Sequence, residues 1–137
     1  MDQGAAEWGC WGQQINGADG TAIGTGQQNT NDILMGCNTS GIAAEICDDL
    51  NLNGYSDWFL PSFDELNLMF NNLADSDGDG FNLGPDDINN IGGFDVANYW
   101  SSTEYFFDFA EALGFGDATP KDEPKFDVLN IRAVRAF

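Results

Sequence analysis

Gly54-Tyr55-Ser56-Asp57-Trp58-Phe59-Leu60-Pro61-Ser62-Phe63-Asp64-Glu65-Leu66 reads as a turn, a short buried strand and a helix start, in that order. Asn53-Gly54 supplies a turn that tolerates positive φ. Trp58-Phe59-Leu60 is an apolar run too short for a helix, and Pro61 keeps it from continuing smoothly into α structure. Ser62 then opens a helix. With Glu65 three residues on it makes a capping box, in which each side chain satisfies the other residue's orphan amide. Leu66, Met69, Phe70 and Leu73 follow at helical spacing and are expected in the core. Trp58 and Leu60 are expected to anchor a sheet to that helix.

Around this joint, 137 residues with 42% hydrophobic content make one domain, spanning 1–137. Four Lys plus Arg against 23 Asp plus Glu give a net charge of -19. Nucleic acid and anionic membranes are therefore poor partners and are not expected, because binding them draws on cation contacts to phosphate. The chain has no histidine, which removes the usual general base, the Ser-His and Cys-His nucleophile pairs and the commonest zinc ligand. It has no run of about 18 apolar residues, so no membrane insertion is expected. Met1-Asp2-Gln3-Gly4 lacks a basic and then apolar opening. Any export signal is expected upstream, in a larger parent chain.

Towards the N-terminus, residues 1–28 are rich in Gly, Gln and Asn and carry Trp8, Cys10 and Trp11, a composition of short strands and turns. Gly24-Thr25-Gly26 leads to a helix cap at Asn29 or Thr30; without a third glycine or a lysine it is no phosphate cradle. A short helix from Thr30 is expected to reach Cys37. Ser40 is expected to cap a second helix with Ile42, Ala43, Ile46, Cys47 and Leu50 on one face. A helical hairpin of this kind can bring Cys37 and Cys47 within the ~5.5 Å between Cα atoms that a disulfide needs. Cys10 pairing with either is the competing arrangement, and buried free thiols are the third.

Beyond the capped helix lies Asp75-Ser76-Asp77-Gly78-Asp79-Gly80-Phe81-Asn82-Leu83-Gly84-Pro85-Asp86, with carboxylates at loop positions 1, 3, 5 and 12 and glycine at 6. A hard cation taking about six to eight oxygens needs clustered carboxylates, a backbone carbonyl near position 7 and a glycine where the chain turns sharply. The expected ligands are Asp75, Asp77, Asp79, the Phe81 carbonyl and Asp86, and the expected ion is Ca2+. The loop resembles EF-hand and dockerin loops, the latter ending in Asp. It departs from them at position 8, which is Asn82 rather than apolar, and at Pro85, where an exiting helix would begin. The plain alternative is a solvated acidic turn.

In the last third, Tyr99-Trp100-Ser101-Ser102-Thr103-Glu104 is expected as a strand with a hydroxyl-rich end, and Phe106, Phe107 and Phe109 as a second, aromatic strand. Val128–Phe137 alternates as a closing strand with Leu129, Ile131, Ala133 and Phe137 on one face. All four basic residues, Lys121, Lys125, Arg132 and Arg135, fall here. In so acidic a chain they are expected in structural pairs with Asp or Glu, the alternative being a ligand clamp at Arg132 or Arg135.

Trp8-Gly9-Cys10, Gly24-Thr25-Gly26 with Asn29-Thr30, Ala43-Ala44 with Cys47, the stretch Gly54–Leu66, Tyr99–Glu104 and the closing Arg132-Ala133-Val134-Arg135-Ala136-Phe137 occur in an order and spacing that resemble the bacterial family typified by the C-terminal domain of the Legionella collagen-like adhesin. The acidic segment at about 75–87 looks like an insertion in that pattern. The family is similar to C-type-lectin-like folds of the sulfatase-modifying-factor type. The resemblance implies an α+β domain with two main helices packed on a small twisted antiparallel sheet, much irregular loop, and neighbouring chain ends. It also implies an extracellular or cell-surface location and a homotrimer. The namesake's sulfated glycosaminoglycans do not carry over comfortably to a net charge of -19.

The first functional expectation is thus a noncatalytic extracellular binding module, an adhesin or receptor-binding tip stabilised by calcium, whose ligand is a glycan or cell-surface polymer stacked on Trp11, Tyr55 or Tyr105. A structural trimerising or capping domain is the alternative, its interface being Phe106, Phe107 and Phe109. A carboxylate-based glycosidase is the less favoured reading, with Glu104, Asp57 and Glu65 as candidates by position only. The cysteines that related formylglycine-generating enzymes use late in the chain have no counterpart after Cys47.

Overall fold

The computed structural model describes residues 2–136. In chain order it has β1 (Ala5–Ala6), α1 (Gly26–Gly36), α2 (Ala43–Asp48), α3 (Phe63–Met69), a π-helical turn (Phe70–Ala74), β2 (Asn98–Glu104), β3 (Phe109–Gly114), β4 (Thr119–Pro124) and β5 (Leu129–Asn130). The strands form one sheet in the order β1-β5-β2-β3-β4. The β2–β5 pair is parallel and the others are antiparallel. The architecture is α+β as expected, but with three helices on a five-stranded mixed sheet rather than two on a small antiparallel one.

Adjacent side chains on a strand point to opposite faces, and β2 uses both. Trp100 joins a core of Trp8, Ile33, Ile42, Cys47 and Leu60 beneath α1 and α2. Tyr99 joins Leu66, Phe70, Phe94, Leu113 and Phe115 beneath α3. The hydroxyl-rich end of β2 is buried, with its polar groups bonded both to β3 and to irregular backbone on its other sides. Ser101 Oγ donates to the Glu111 carbonyl, Thr103 Oγ1 donates to the Gly20 carbonyl, and the Ser102 amide donates to the Pro61 carbonyl.

The capping box forms: the Ser62 amide donates to Glu65 Oε1 at 2.7 Å and the Glu65 amide to Ser62 Oγ at 3.4 Å. Phe59 makes an isolated antiparallel bridge to Val134, tying the joint to the C-terminal segment. Of the expected anchors, Leu60 is fully buried while Trp58 packs only partly against the core. The closing strand is shorter than expected. Only Leu129–Asn130 joins the sheet; Ile131 and Ala133 are buried as expected, but Arg132 between them is buried too, so the in-and-out alternation is not kept. Phe137 lies outside the described residues.

Two further corrections concern the aromatic strand and the cysteines. Tyr105–Asp108 is the turn between β2 and β3, with the amides of Tyr105 and Phe106 both donating to the Phe109 carbonyl. The disulfide joins Cys10 to Cys37, with Cα atoms 5.9 Å apart, and Cys47 is free and buried. Cys37 caps the C-terminus of α1 and there meets the N-terminal loop, whereas Cys47 faces the core on α2.

Three of the four basic side chains are structurally paired: Lys125 with Glu104, Arg132 with Asp2 and Arg135 with Asp57. Arg132 also lies 4.0 Å from the centre of the Phe94 ring and donates to the Gly92 carbonyl. With the Gln3 amide bonded to the Ile131 carbonyl, these contacts set the described chain ends side by side.

Candidate metal loop and aromatic ledge

Asp75 follows the π-helical turn and is buried, its amide still bonded to the Phe70 carbonyl. Gly78 and Gly80 adopt positive φ, 74° and 89°, which folds the chain back over the Asp75 carboxylate. Asp75 Oδ2 accepts from the Gly80 amide at 2.8 Å and Oδ1 from the Asp79 amide at 3.1 Å. In the result, one carboxylate oxygen from each of Asp75, Asp77 and Asp79 lies within 4.8 Å of the others. These three side chains can hold a metal ion.

The electrostatics of the trio fit a cation. Burial works against the Asp75 anion, but hydrogen bonds from the Gly80 amide, Asp77 and Asp79 outweigh it and hold the carboxyl below its ordinary value. Asp77 is pushed the other way, first by its hydrogen bond to Asp75 and then by burial. Crowded carboxylate oxygens of this kind are the donor set a hard cation relieves.

Asp86 is not part of the trio. The chain turns at Gly84, where φ is 110°, and Asp87 spends its carboxylate on the amides of Leu83 and Asn89. No helix follows the loop to swing position 12 back towards the trio. The Phe81 amide donates to Asp79 Oδ1, and its ring is exposed. Asn89 was not anticipated: its Nδ2 donates to Asp77 Oδ2 at 3.0 Å. Half a turn of that amide presents an oxygen instead. Only its place in the Asn89-Asn90 pair beside the acidic run could have pointed to it. The unusual Asn82 is buried and pins the loop to the end of β3, Nδ2 donating to the Phe115 carbonyl at 2.7 Å.

The three aromatics singled out in the sequence separate into two places. Trp11, 59% exposed, packs edge-on against Phe126 with ring centres 5.8 Å apart. The adjoining Gly12 amide donates to the Phe107 carbonyl, and the Lys125 amide to the Asp108 carbonyl. Trp11, Phe126 and the Tyr105–Asp108 turn are thus brought side by side at one end of the sheet, an exposed aromatic ledge made of the Trp11–Phe126 pair and the tilted Phe106–Phe107 pair, 4.7 Å between ring centres. Tyr55 is elsewhere, stacked on the Arg135 guanidinium at 3.6 Å. The ledge lies at the start of β3 and the acidic loop at its end. Six residues of strand at ~3.3 Å each set them on the order of 20 Å apart.

The three carboxylates considered for catalysis are each engaged. Glu104 accepts from Lys125 and the Ile15 amide, Asp57 receives Arg135 through two nitrogens, and Glu65 caps Ser62 and Gly24. One acid is ill served. Glu111 Oε2 is buried without a hydrogen-bond partner, and burial, Asp122 and Asp64 raise the carboxyl's pKa. A carboxyl raised on folding favours the fold at low pH and loses that contribution as pH rises through the raised value. Glu111→Gln is therefore expected to gain about 0.5 kcal/mol at pH 7 and almost nothing at pH 4, measured by urea unfolding at both.

No protein-family model matches the chain, and no curated protein does at a significant level.

Proposed function

We propose that this chain is a noncatalytic binding module of an exported or cell-surface protein, adhesin-like and of C-type-lectin-like descent, which takes a glycan or surface polymer on the ledge around Trp11 and Tyr105. The observation that carries this reading is the ledge itself: aromatic side chains from three separate segments left exposed at one end of the sheet. Large exposed apolar patches mark interaction sites, and flat rings suit the apolar face of a sugar. The disulfide fits an oxidising compartment.

Calcium is the ion proposed for Asp75, Asp77 and Asp79, as a stiffener of the loop rather than a ligand contact, since the ledge is at the other end of β3. Melting in chelator and at a calcium concentration about 100 times the Kd should differ by ~2.7 kcal/mol, or roughly 10 °C. Asp77→Asn with Asp79→Asn, both exposed in the fold, should abolish the difference. Identical melting in chelator and calcium defeats the metal assignment.

The ledge is tested separately on an array of neutral and sulfated glycans, where Trp11→Ala is expected to weaken neutral-glycan binding at least tenfold. A silent array would favour the second reading, to which the exposed Phe106–Phe107 pair also lends itself: a subunit interface in a homotrimer. Light scattering decides that case.

A further inference from the structure

A concave surface shares no lining residue with the ledge or with the Asp75, Asp77 and Asp79 trio. It is a groove of about 520 Å³ between α3, the loop entering α1 and the C-terminal segment, floored by Ile23, Phe59, Leu68, Met69, Leu73 and Val134. That volume falls within the ~300–1,000 Å³ of ordinary binding sites. Its apolar walls are open to solvent: Ile23 is 64%, Leu68 47% and Leu73 37% exposed.

Charge decides what fits. Arg135 is the only cation lining the groove among the described residues, and Asp57 already holds it at 2.7 and 2.9 Å while Tyr55 covers its face. The other charged group on the wall, Glu65, has no basic partner and spends its oxygens on the amides of Ser62 and Gly24. The rim is thus net negative, on a chain whose total charge is -19. An anionic occupant is repelled, and so is a second copy of the chain.

We propose that this groove docks a basic, apolar peptide segment of a partner protein, with bulky aliphatic side chains on the Leu68–Leu73 floor and Lys or Arg over Glu65 and Asp57. The site is independent of the ledge. Apolar burial supplies the affinity, and the acidic rim supplies the selectivity against anionic segments.

The probe is a short synthetic peptide alternating leucine and lysine, titrated into isotope-labelled protein while amide NMR shifts are followed. Shifts should cluster at residues 23–27, 57–59, 65–73 and 134–136. Binding should fall at least tenfold when the peptide's leucines become serine, when its lysines become glutamate, or when the protein carries Ile23→Ser with Leu68→Ser. Both replaced side chains are exposed, so the fold survives and its spectrum verifies this. Equal binding of the serine peptide would reduce the effect to bulk charge attraction and overturn the proposal. So would equal binding of the glutamate peptide, shifts mapping to the acidic loop, or groove shifts that appear on concentrating the protein alone.

Discussion

Lys125→Met is expected to lower the unfolding free energy by about 3–5 kcal/mol, the usual cost of removing one partner from a buried ion pair. The Lys125 side chain is fully buried, and its Nζ donates to Glu104 Oε2 at 2.6 Å and to the Gln13 carbonyl at 2.8 Å. It also lies 4.7 Å from the Trp8 ring centre. Methionine fills the stem's volume but leaves a buried carboxylate and a carbonyl without their donor. Adding Glu104→Gln should restore most of the loss, because the amide oxygen still accepts from the Ile15 amide that Glu104 serves at 2.8 Å. Urea unfolding of the two single variants and the double variant measures the coupling. A single variant within about 1 kcal/mol of the parent would show that water or a proton replaces the pair at little cost. The effect should reach the ledge as well: Gln13 follows the Trp11 loop and Phe126 follows Lys125, so loosening this pair should raise the mobility of both rings, read from their fluorescence and NMR line widths.

The sequence was legible where short-range chemistry decides the structure. Ser62 and Glu65 need only each other to cap α3, and the box is formed. Ile131 and Ala133 are buried as apolar residues should be, even though the ladder stops at Asn130 and Arg132 between them is buried as well. Asp75, Asp77 and Asp79 come together because two positive-φ glycines within one loop force them to. What was hidden depends on long-range placement or on sequence that disguises its structure. β4, Thr119-Pro120-Lys121-Asp122-Glu123-Pro124, carries two prolines and three charges and does not look like a strand. It is the sheet's edge, where proline and charge are tolerated because one side makes no ladder and must not recruit another chain. Loop position alone points to Asp86 as a ligand, but it lies outside the cluster of Asp75, Asp77 and Asp79, a matter of backbone geometry that position counting ignores.

The cysteines failed for the same reason, and the correct pairing yields the second large effect. Closing a separation of 27 residues with Cys10–Cys37 constrains the unfolded chain by about 3.5 kcal/mol. Cys10→Ser with Cys37→Ser should lose that amount in urea unfolding. Cys10 sits at φ 52° beside Gly9 at 100°, a backbone that an L-residue adopts at a cost of roughly 1–2 kcal/mol. Once the bridge is gone, nothing covalent holds that turn, and Trp11 immediately after it loses its fixed place on the ledge. Cys47 is the internal control. Burial, with Asp48 beside it, pushes its thiol far above the ordinary range, so it stays protonated and unreactive in the native fold. An alkylating reagent should label no cysteine in the native oxidised protein, one after unfolding without reductant, and three after unfolding with it. Peptide mapping of the unreduced protein must recover Cys10 linked to Cys37; a Cys37–Cys47 peptide would refute the pairing. Cys37 and Cys47 both lie in the buried cluster beneath α1 and α2, but it is Cys10, carried by the N-terminal loop, that stands 5.9 Å from Cys37 between Cα atoms.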